Sequence, residues 1–273
     1  MPDGSAQSGS HAFDSAIHLE ARADGVFLGH TSEKYWNFVG PFGGITAATA
    51  LNGILQRPER QGDPLSLTVN FMAPIKAGAF TVGTRLMRSN RSTQHWSVEL
   101  AQEGESDPAL SAIAVFAARR ETWGLREASP PQAPPPETCM RFEPKLEILW
   151  PAMYEMRYAR GKFGAENPDS LTHCWIADSP PRALDHTSLT AICDAFFPRI
   201  FLRRPRMAPI ATVSLNVYFH VDSADLLAQG SAPVLCVAKA QVFNKGYYDQ
   251  EGQVWGKDGV LLATTHQIAW YKE

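Results

Sequence analysis

The sequence predicts an α+β protein built from two tandem units, each a single apolar helix covered by an antiparallel meander. Three observations predict it. Two segments, 43–55 and 188–197, are helix-length runs with almost no charge, so each is buried on all sides. An alternating strand follows each, 66–71 and 214–219, and both helix and strand repeat at an offset of 148 residues. The later strand-like segments have no crossover helices between them, which favours an antiparallel arrangement over a parallel one.

Length and composition agree with this reading. The chain has 273 residues, about two domains at roughly 150 residues each. Hydrophobic residues make up 44% and charged residues 19%, enough apolar material for a large core and too little charge for a disordered chain. With 25 Lys+Arg against 28 Asp+Glu, the formal charge of −3 gives no overall pull toward nucleic acid or an anionic membrane. The first ten residues are small and polar, with no signal-peptide pattern, and no apolar run reaches the ~18 residues of a membrane span. A soluble, cytoplasmic protein is the expectation. The four cysteines, Cys139, Cys174, Cys193 and Cys236, form no CxxC pair and are expected as free thiols.

Along the chain, residues 1–11 are expected as a disordered tail and 12–125 as the first unit, with its helix at 43–55 and strands at 66–71, 79–87, 94–102 and 109–118. Residues 126–140 are expected as a linker, because the prolines at 130, 131, 134, 135 and 136 cannot donate to a ladder and stiffen the backbone. The second unit, 141–273, carries the helix at 188–197 and strands at 214–219, 233–243, 251–256 and 260–271.

Within the second helix Asp194 is the one charged residue, on a flank shared with Thr190, Phe197 and Phe201. A carboxylate there is costly unless hydrogen-bonded, and burial raises its pKa. The residue pattern leaves two readings: a structural carboxylate, or a functional one. Gln267 shares a strand face with Ala263, Thr265 and Ala269, where a long amide is unusual. The short run Arg203, Arg204 and Arg206 reads as a solvated loop ahead of a phosphate site. His186, His220 and His266 lack metal-ligand spacing, and Trp36, Trp175, Trp255 and Trp270 read as core. Neither a Gly-x-Ser-x-Gly elbow nor a phosphate-binding glycine motif is present.

The run Trp36-Asn37-Phe38-Val39-Gly40-Pro41-Phe42-Gly43-Gly44, the segment Leu189-Thr190-Ala191-Ile192-Cys193-Asp194-Ala195-Phe196, Ala211-Thr212-Val213 and Leu261-Leu262-Ala263-Thr264-Thr265-His266-Gln267 together resemble the acyl-CoA thioesterase II family, with its double hot-dog fold. The resemblance runs from about residue 20 to the C-terminus. It implies an acyl-CoA substrate, no cofactor or metal, and a water held for thioester hydrolysis by Asp194, Thr212 and Gln267. The first-half counterparts, Thr46, Pro64 and Val115, offer no carboxylate, so one site per chain is expected. Gly43 and Gly44 are candidates for oxyanion-binding amides, and Phe197 for the acyl pocket. Hydratases of this fold resemble one another in an Asp/His pair, and no His lies within 188–197, the segment expected as the helix carrying Asp194. The competing reading is a catalytically silent module that binds acyl thioesters. By analogy with the family, a homodimer or homotetramer is expected, paired through sheet edges.

Overall fold

The computed structural model describes residues 10–143 and 148–272. In chain order the strands are β1 (Glu20–Ala23), β2 (Val26–His30), β3 (Asp63–Phe71), β4 (Ala79–Ser89), β5 (Thr93–Ala101), β6 (Leu110–Ala117), β7 (Met140–Arg141), β8 (Tyr154–Arg160), β9 (Thr172–Asp178), β10 (Ile210–Phe219), β11 (Val234–Lys239), β12 (Phe243–Asn244), β13 (Tyr247–Trp255) and β14 (Leu261–Tyr271). The α-helices are α1 (Ala12–Ala16), α2 (Gly43–Leu55), α3 (His186–Ile192), α4 (Ile200–Arg203) and α5 (Ser223–Gln229). All the strands belong to one antiparallel sheet of order β1-β2-β4-β5-β6-β3-β10-β14-β13-β11-β9-β8-β7, with β12 pairing off β13.

The order is palindromic. Moving outward from the centre, β3-β6-β5-β4-β2 in the first half repeats as β10-β14-β13-β11-β9 in the second. β3 and β10 join the halves, and Thr68 pairs in register with Asn216, the residue 148 positions later, with Thr68 Oγ1 donating to Asn216 Oδ1 at 2.8 Å. A pseudo-twofold axis therefore passes between them, so the predicted strand offset is an element of symmetry. Even the bulges match: the register slips between Pro64 and Ser66 against β6, and between Thr212 and Ser214 against β14.

The helices pack antiparallel inside the curved sheet. Gly44 at the start of α2 lies against the Ala191 carbonyl near the end of α3, while Asn52 and Leu55 share a cleft with Asp185, His186 and Thr187 at the other end. Every residue of α3 is buried, as are ten of α2 from Gly44 to Ile54. Both helices share a single core with the inner faces of β3, β6, β10 and β14, including Leu67, Val69, Ala112, Ala114, Leu215, Val217 and Ala263. Small residues on the helices allow the close approach, and removal of this apolar surface from water stabilises the arrangement.

Several expectations need correction. The second helix ends at Ile192 instead of continuing to 197: the Asp194 and Ala195 amides bond three residues back, to Ala191 and Ile192. Pro198 explains the break, because it disfavours helical backbone at Phe197 and could not continue the ladder. Thr190, Asp194, Phe197 and Phe201 thus do not share one helix. The helix offset is also not 148, since α2 and α3 start at Gly43 and His186. Counted from the N-caps Phe42 and Asp185, Asp194 corresponds to Leu51, not Thr46. The register aligns Gln267 with Ala114, not Val115, because Leu215 faces Gln267 as Leu67 faces Ala114.

Of the expected tail, residues 1–9 lie outside the described residues, and His11 is built in: it N-caps α1, and its Nε2 lies 2.9 Å from the Pro180 carbonyl oxygen. The proline-rich segment lies on the second half, with Trp175 Nε1 donating to the Pro134 carbonyl at 2.9 Å and Arg126 lying over Trp255. Of the four tryptophans expected in the core, only Trp255 is fully buried, while Trp36, Trp175 and Trp270 are half-buried. All four cysteines are buried free thiols. The sheet edges β1 and β7 are short and carry Glu20, Arg22 and Arg141, features that resist edge-to-edge pairing. Among the described residues no helix is long and apolar enough to cross a membrane.

Candidate active site

The break after α3 places Asp194 in a turn between the end of α3 and the start of α2. Gln267, inward on β14, reaches this turn: its Nε2 donates to Asp194 Oδ1 at 3.0 Å and to the Cys193 carbonyl at 3.2 Å. Both amide protons are thereby used, which fixes the orientation of the amide and leaves Oε1 as an acceptor. The Gly44 backbone amide also faces the Asp194 carboxylate. Desolvation pushes the Asp194 pKa from 3.8 to about 7, with the Gln267 bond and the Gly44 amide holding it back from going higher. As a residue Asp194 is partly buried, between the fully buried Cys193 and Ala195.

Gly43 and Gly44 make the junction possible. A side chain at 43 would come within 2.7 Å of Asp194 Oδ2, and one at 44 would meet the Phe42 ring at 2.5 Å and the Ala191 carbonyl at 2.6 Å. The free Gly44 amide at the helix start thus approaches the carboxylate directly.

The strand registers lay out the wall beneath Asp194 as rows across β10, β14 and β13. Thr212, Ala269 and Tyr248 form one row, Leu215, Gln267 and Gln250 the next, and Val217, Thr265 and Gly252 the third. Thr212 is therefore on the same face as Gln267, one row away and beside the small Ala269. It is half-buried, and its side chain bonds to neither Asp194 nor Gln267. Of the three residues expected to act together, the structure joins Asp194 and Gln267 directly and sets Thr212 alongside.

Past the turn, Phe197 packs with Phe163, Phe142 and Phe201 in a second apolar cluster that reaches Tyr248 and Ala269. The segment is pinned by Arg199, fully buried and without a carboxylate partner among the described residues. Its Nε and Nη2 donate to the Phe197 carbonyl, and its Nη1 donates to the Ser170 carbonyl at 3.1 Å, Thr172 Oγ1 at 2.6 Å and the Ala238 carbonyl at 2.9 Å. Burial lowers its pKa to about 10, so it stays charged at neutral pH. Arg199 was missed in the sequence; the signal was a lone charge within the apolar run from Ala195 to Leu202. Tyr248 and Gln250 were missed as well, because the strand expected at 251–256 begins at Tyr247. Arg203 donates to the Asn167 carbonyl.

Comparison with known proteins agrees with this architecture. Residues 32–117 match the model of the acyl-CoA thioesterase N-terminal domain and residues 126–271 that of the acyl-CoA thioesterase C-terminal domain. A conserved protein of unknown function with the hot-dog fold, from Alicyclobacillus acidocaldarius, is 45% identical, with 97% of this chain and 99% of that chain covered and a TM-score of 0.93. An acyl-CoA thioesterase II from Mycobacterium marinum is 15% identical at a TM-score of 0.77, covering 95% of this chain and 98% of the other. A tesB protein from Mycobacterium avium subspecies paratuberculosis is also 15% identical, at a TM-score of 0.78, covering 96% and 98%. These last two share the fold. Curated protein sequences give no match.

Proposed function

The chain belongs to the acyl-CoA thioesterase family and has its double hot-dog fold, and from that premise we propose that it hydrolyses acyl-CoA to the free acid and CoA at Asp194. The observation that carries this reading is the bond from Gln267 Nε2 to a desolvated Asp194 whose pKa lies near neutrality. A general base is most effective when its pKa is close to the working pH, and such a base contributes on the order of 10²–10⁴ in rate.

In the proposed reaction a water gives one proton to Asp194 while its oxygen attacks the thioester carbonyl. Gln267 Oε1 accepts a hydrogen bond from the water's second O–H, which stays on the attacking oxygen, and the Thr212 hydroxyl steadies the water, so that the attack angle is set before reaction. Collapse of the tetrahedral intermediate breaks the carbon–sulfur bond, and the CoA thiolate recovers the proton held by Asp194. Gly44 is given a different role from the one expected for it: its amide is directed at Asp194 and positions the carboxylate. The Gly43 amide, which the first turn of a helix leaves without an intrahelical partner, is the proposed oxyanion donor. Phe197 and its aromatic neighbours form the proposed acyl wall.

Thiol release from short, medium and long acyl-CoAs by the purified protein tests the reading. Hydrolysis by the wild type and its loss by at least about a thousandfold in Asp194→Asn, with the fold retained, are expected. Binding of acyl-CoA without thiol release would replace the enzyme with a silent binding module. Homodimer or homotetramer assembly is part of the proposal, through the outer sheet face that exposes Ile113, Tyr218 and Ile268. A monomer in equilibrium sedimentation would remove it.

A further inference from the structure

The wall beside Gln267 holds polar groups that have no hydrogen-bond partner among the described residues. Gln250 faces inward on β13, directly across from Gln267, and is 4% exposed. Its side-chain amide makes no hydrogen bond with a described residue. Tyr248, two positions earlier on the same face and 5% exposed, likewise makes no side-chain hydrogen bond with a described residue. Its hydroxyl and the Gln250 amide each keep a sliver of open surface, whereas Thr265 Oγ1 is fully enclosed without a partner among the described residues.

The symmetry of the fold provides an internal control. In the first half, β5 and β6 pair Trp96 with Ala114 and Gln94 with Phe116, so Trp96 stands where Gln250 does and Gln94 where Tyr248 does. Trp96 fills its place with an apolar ring at 0% exposure. Gln94 shows how this fold treats a structural amide. Its Oε1 accepts from the Gln61 amide at 2.9 Å and from Trp96 Nε1 at 3.3 Å, while its Nε2 donates to the Glu59 carbonyl at 2.9 Å. Burial of an amide without such partners is unfavourable. An apolar side chain would serve a purely structural purpose at 250, as it does at 96.

We propose that Gln250, with Tyr248 and Thr265 around it, recognises a neutral oxygen substituent, hydroxyl or oxo, on the acyl chain close to the thioester carbonyl. The inference rests on the reading of Asp194 as the site of acyl-CoA hydrolysis and names the substrate class of that site. Side chains paired across neighbouring strands start about 4.5–5.5 Å apart, and Gln267 itself is 3.0 Å from Asp194. The Gln250 amide is thus within a few carbons of the reacting carbonyl. An amide offers both donors and an acceptor, which matches a hydroxyl or an oxo group. A carboxylate would call for a cation, and the buried cation nearby, Arg199, already directs its nitrogens at four protein oxygens.

Measurement of kcat/KM by thiol release for butanoyl-CoA against β-hydroxybutanoyl-CoA and β-oxobutanoyl-CoA, with the hexanoyl set alongside, tests this. The wild type is expected to prefer the oxygenated esters by about tenfold or more, because a site built to hydrogen-bond a substrate oxygen rejects the analogue lacking it. In Gln250→Met that preference is expected to collapse toward unity. Equal wild-type rates on oxygenated and plain esters would overturn the inference while leaving acyl-CoA hydrolysis intact. A preference preserved in Gln250→Met would overturn it too, by showing that the residue acts on every substrate alike. No thiol release from any ester would remove the underlying reading along with it. The wild-type comparison depends on no variant folding.

Discussion

Where β14 carries Gln267 in the second half, β6 carries Ala114 in the first, and where β10 carries Thr212, β3 carries Pro64. The helices differ in the same sense. α2 runs without a break from Gly43 to Leu55 and holds no carboxylate, whereas α3 stops at Ile192 and releases Asp194 into a turn. One lattice of strand pairings therefore supports two interiors. In the first, Trp96 and a fully bonded Gln94 close the wall; in the second, a desolvated carboxylate and unpartnered polar groups leave chemistry exposed. The division of labour is physical. Sheet symmetry preserves the backbone, so the first half can supply stability and the glycine-rich helix start while the second departs from close packing at one point.

Substitutions at matched positions sharpen this contrast. Gln267→Leu removes the donor to Asp194 and is expected to lower kcat/KM by about a hundredfold while moving the pH midpoint above 7, since that bond favours the ionised form. Retention of full activity would break the comparison, for it would make Gln267 no more important than Ala114. Gln94→Leu strips the Gln61 amide and the Glu59 carbonyl of their buried partner and is expected to cost roughly 2–3 kcal/mol in denaturant unfolding. Gln250→Leu, at a site with no partner to lose, is expected to cost nothing or to stabilise. Equal losses at the two positions would mean that the interiors are not different in kind.

Gly43→Ala would bring a methyl to 2.7 Å from Asp194 Oδ2 and is expected to reduce the rate by about tenfold through displacement of the carboxylate. The smallest effect concerns stability. Because the folded-state pKa of Asp194 is raised above its ordinary 3.8, its contribution is fully present below that value and is lost as pH rises through about 7. Asp194→Asn is accordingly expected to be more stable than the wild type at pH 8, by about 1 kcal/mol or more, with the gain vanishing toward pH 4. Thermal melts at the two pH values check the sign.

Much of the fold was legible in the sequence because its signals are local. Charge-free helices, alternation along β3 and β10 and the strand offset of 148 residues are properties of short segments. Asp194 and Gln267 stand out because each breaks an apolar pattern, but the pattern left a structural role open for both, and only the resemblance to the thioesterase family joined them in one site. What the sequence hid depends on contact. The stop at Ile192 follows from Pro198 six residues on, and the helices kept a different offset from the strands because the segment between α3 and β10 is longer. The strands β7 to β9 are missing from the expected set because no counterpart ahead of the first helix is recognised in the sequence. Yet the cluster of Gly161, Gly164, Asn167, Pro168 and Asp169 is a turn signal, and Thr172, Cys174 and Ile176 alternate inward on β9. That the Gly44 amide serves Asp194, and that Gln250 lacks the partners Gln94 has, can be seen only when neighbouring elements are in place.

The pH dependence of kcat/KM for acyl-CoA hydrolysis tests the central claim most directly. With Asp194 as an ionised base the rate is expected to rise through a single ionisation near pH 7, to fall away below it, and to shift upward in Gln267→Leu. A rate that stays constant from pH 5 to 8, or a midpoint indifferent to Gln267, would contradict it.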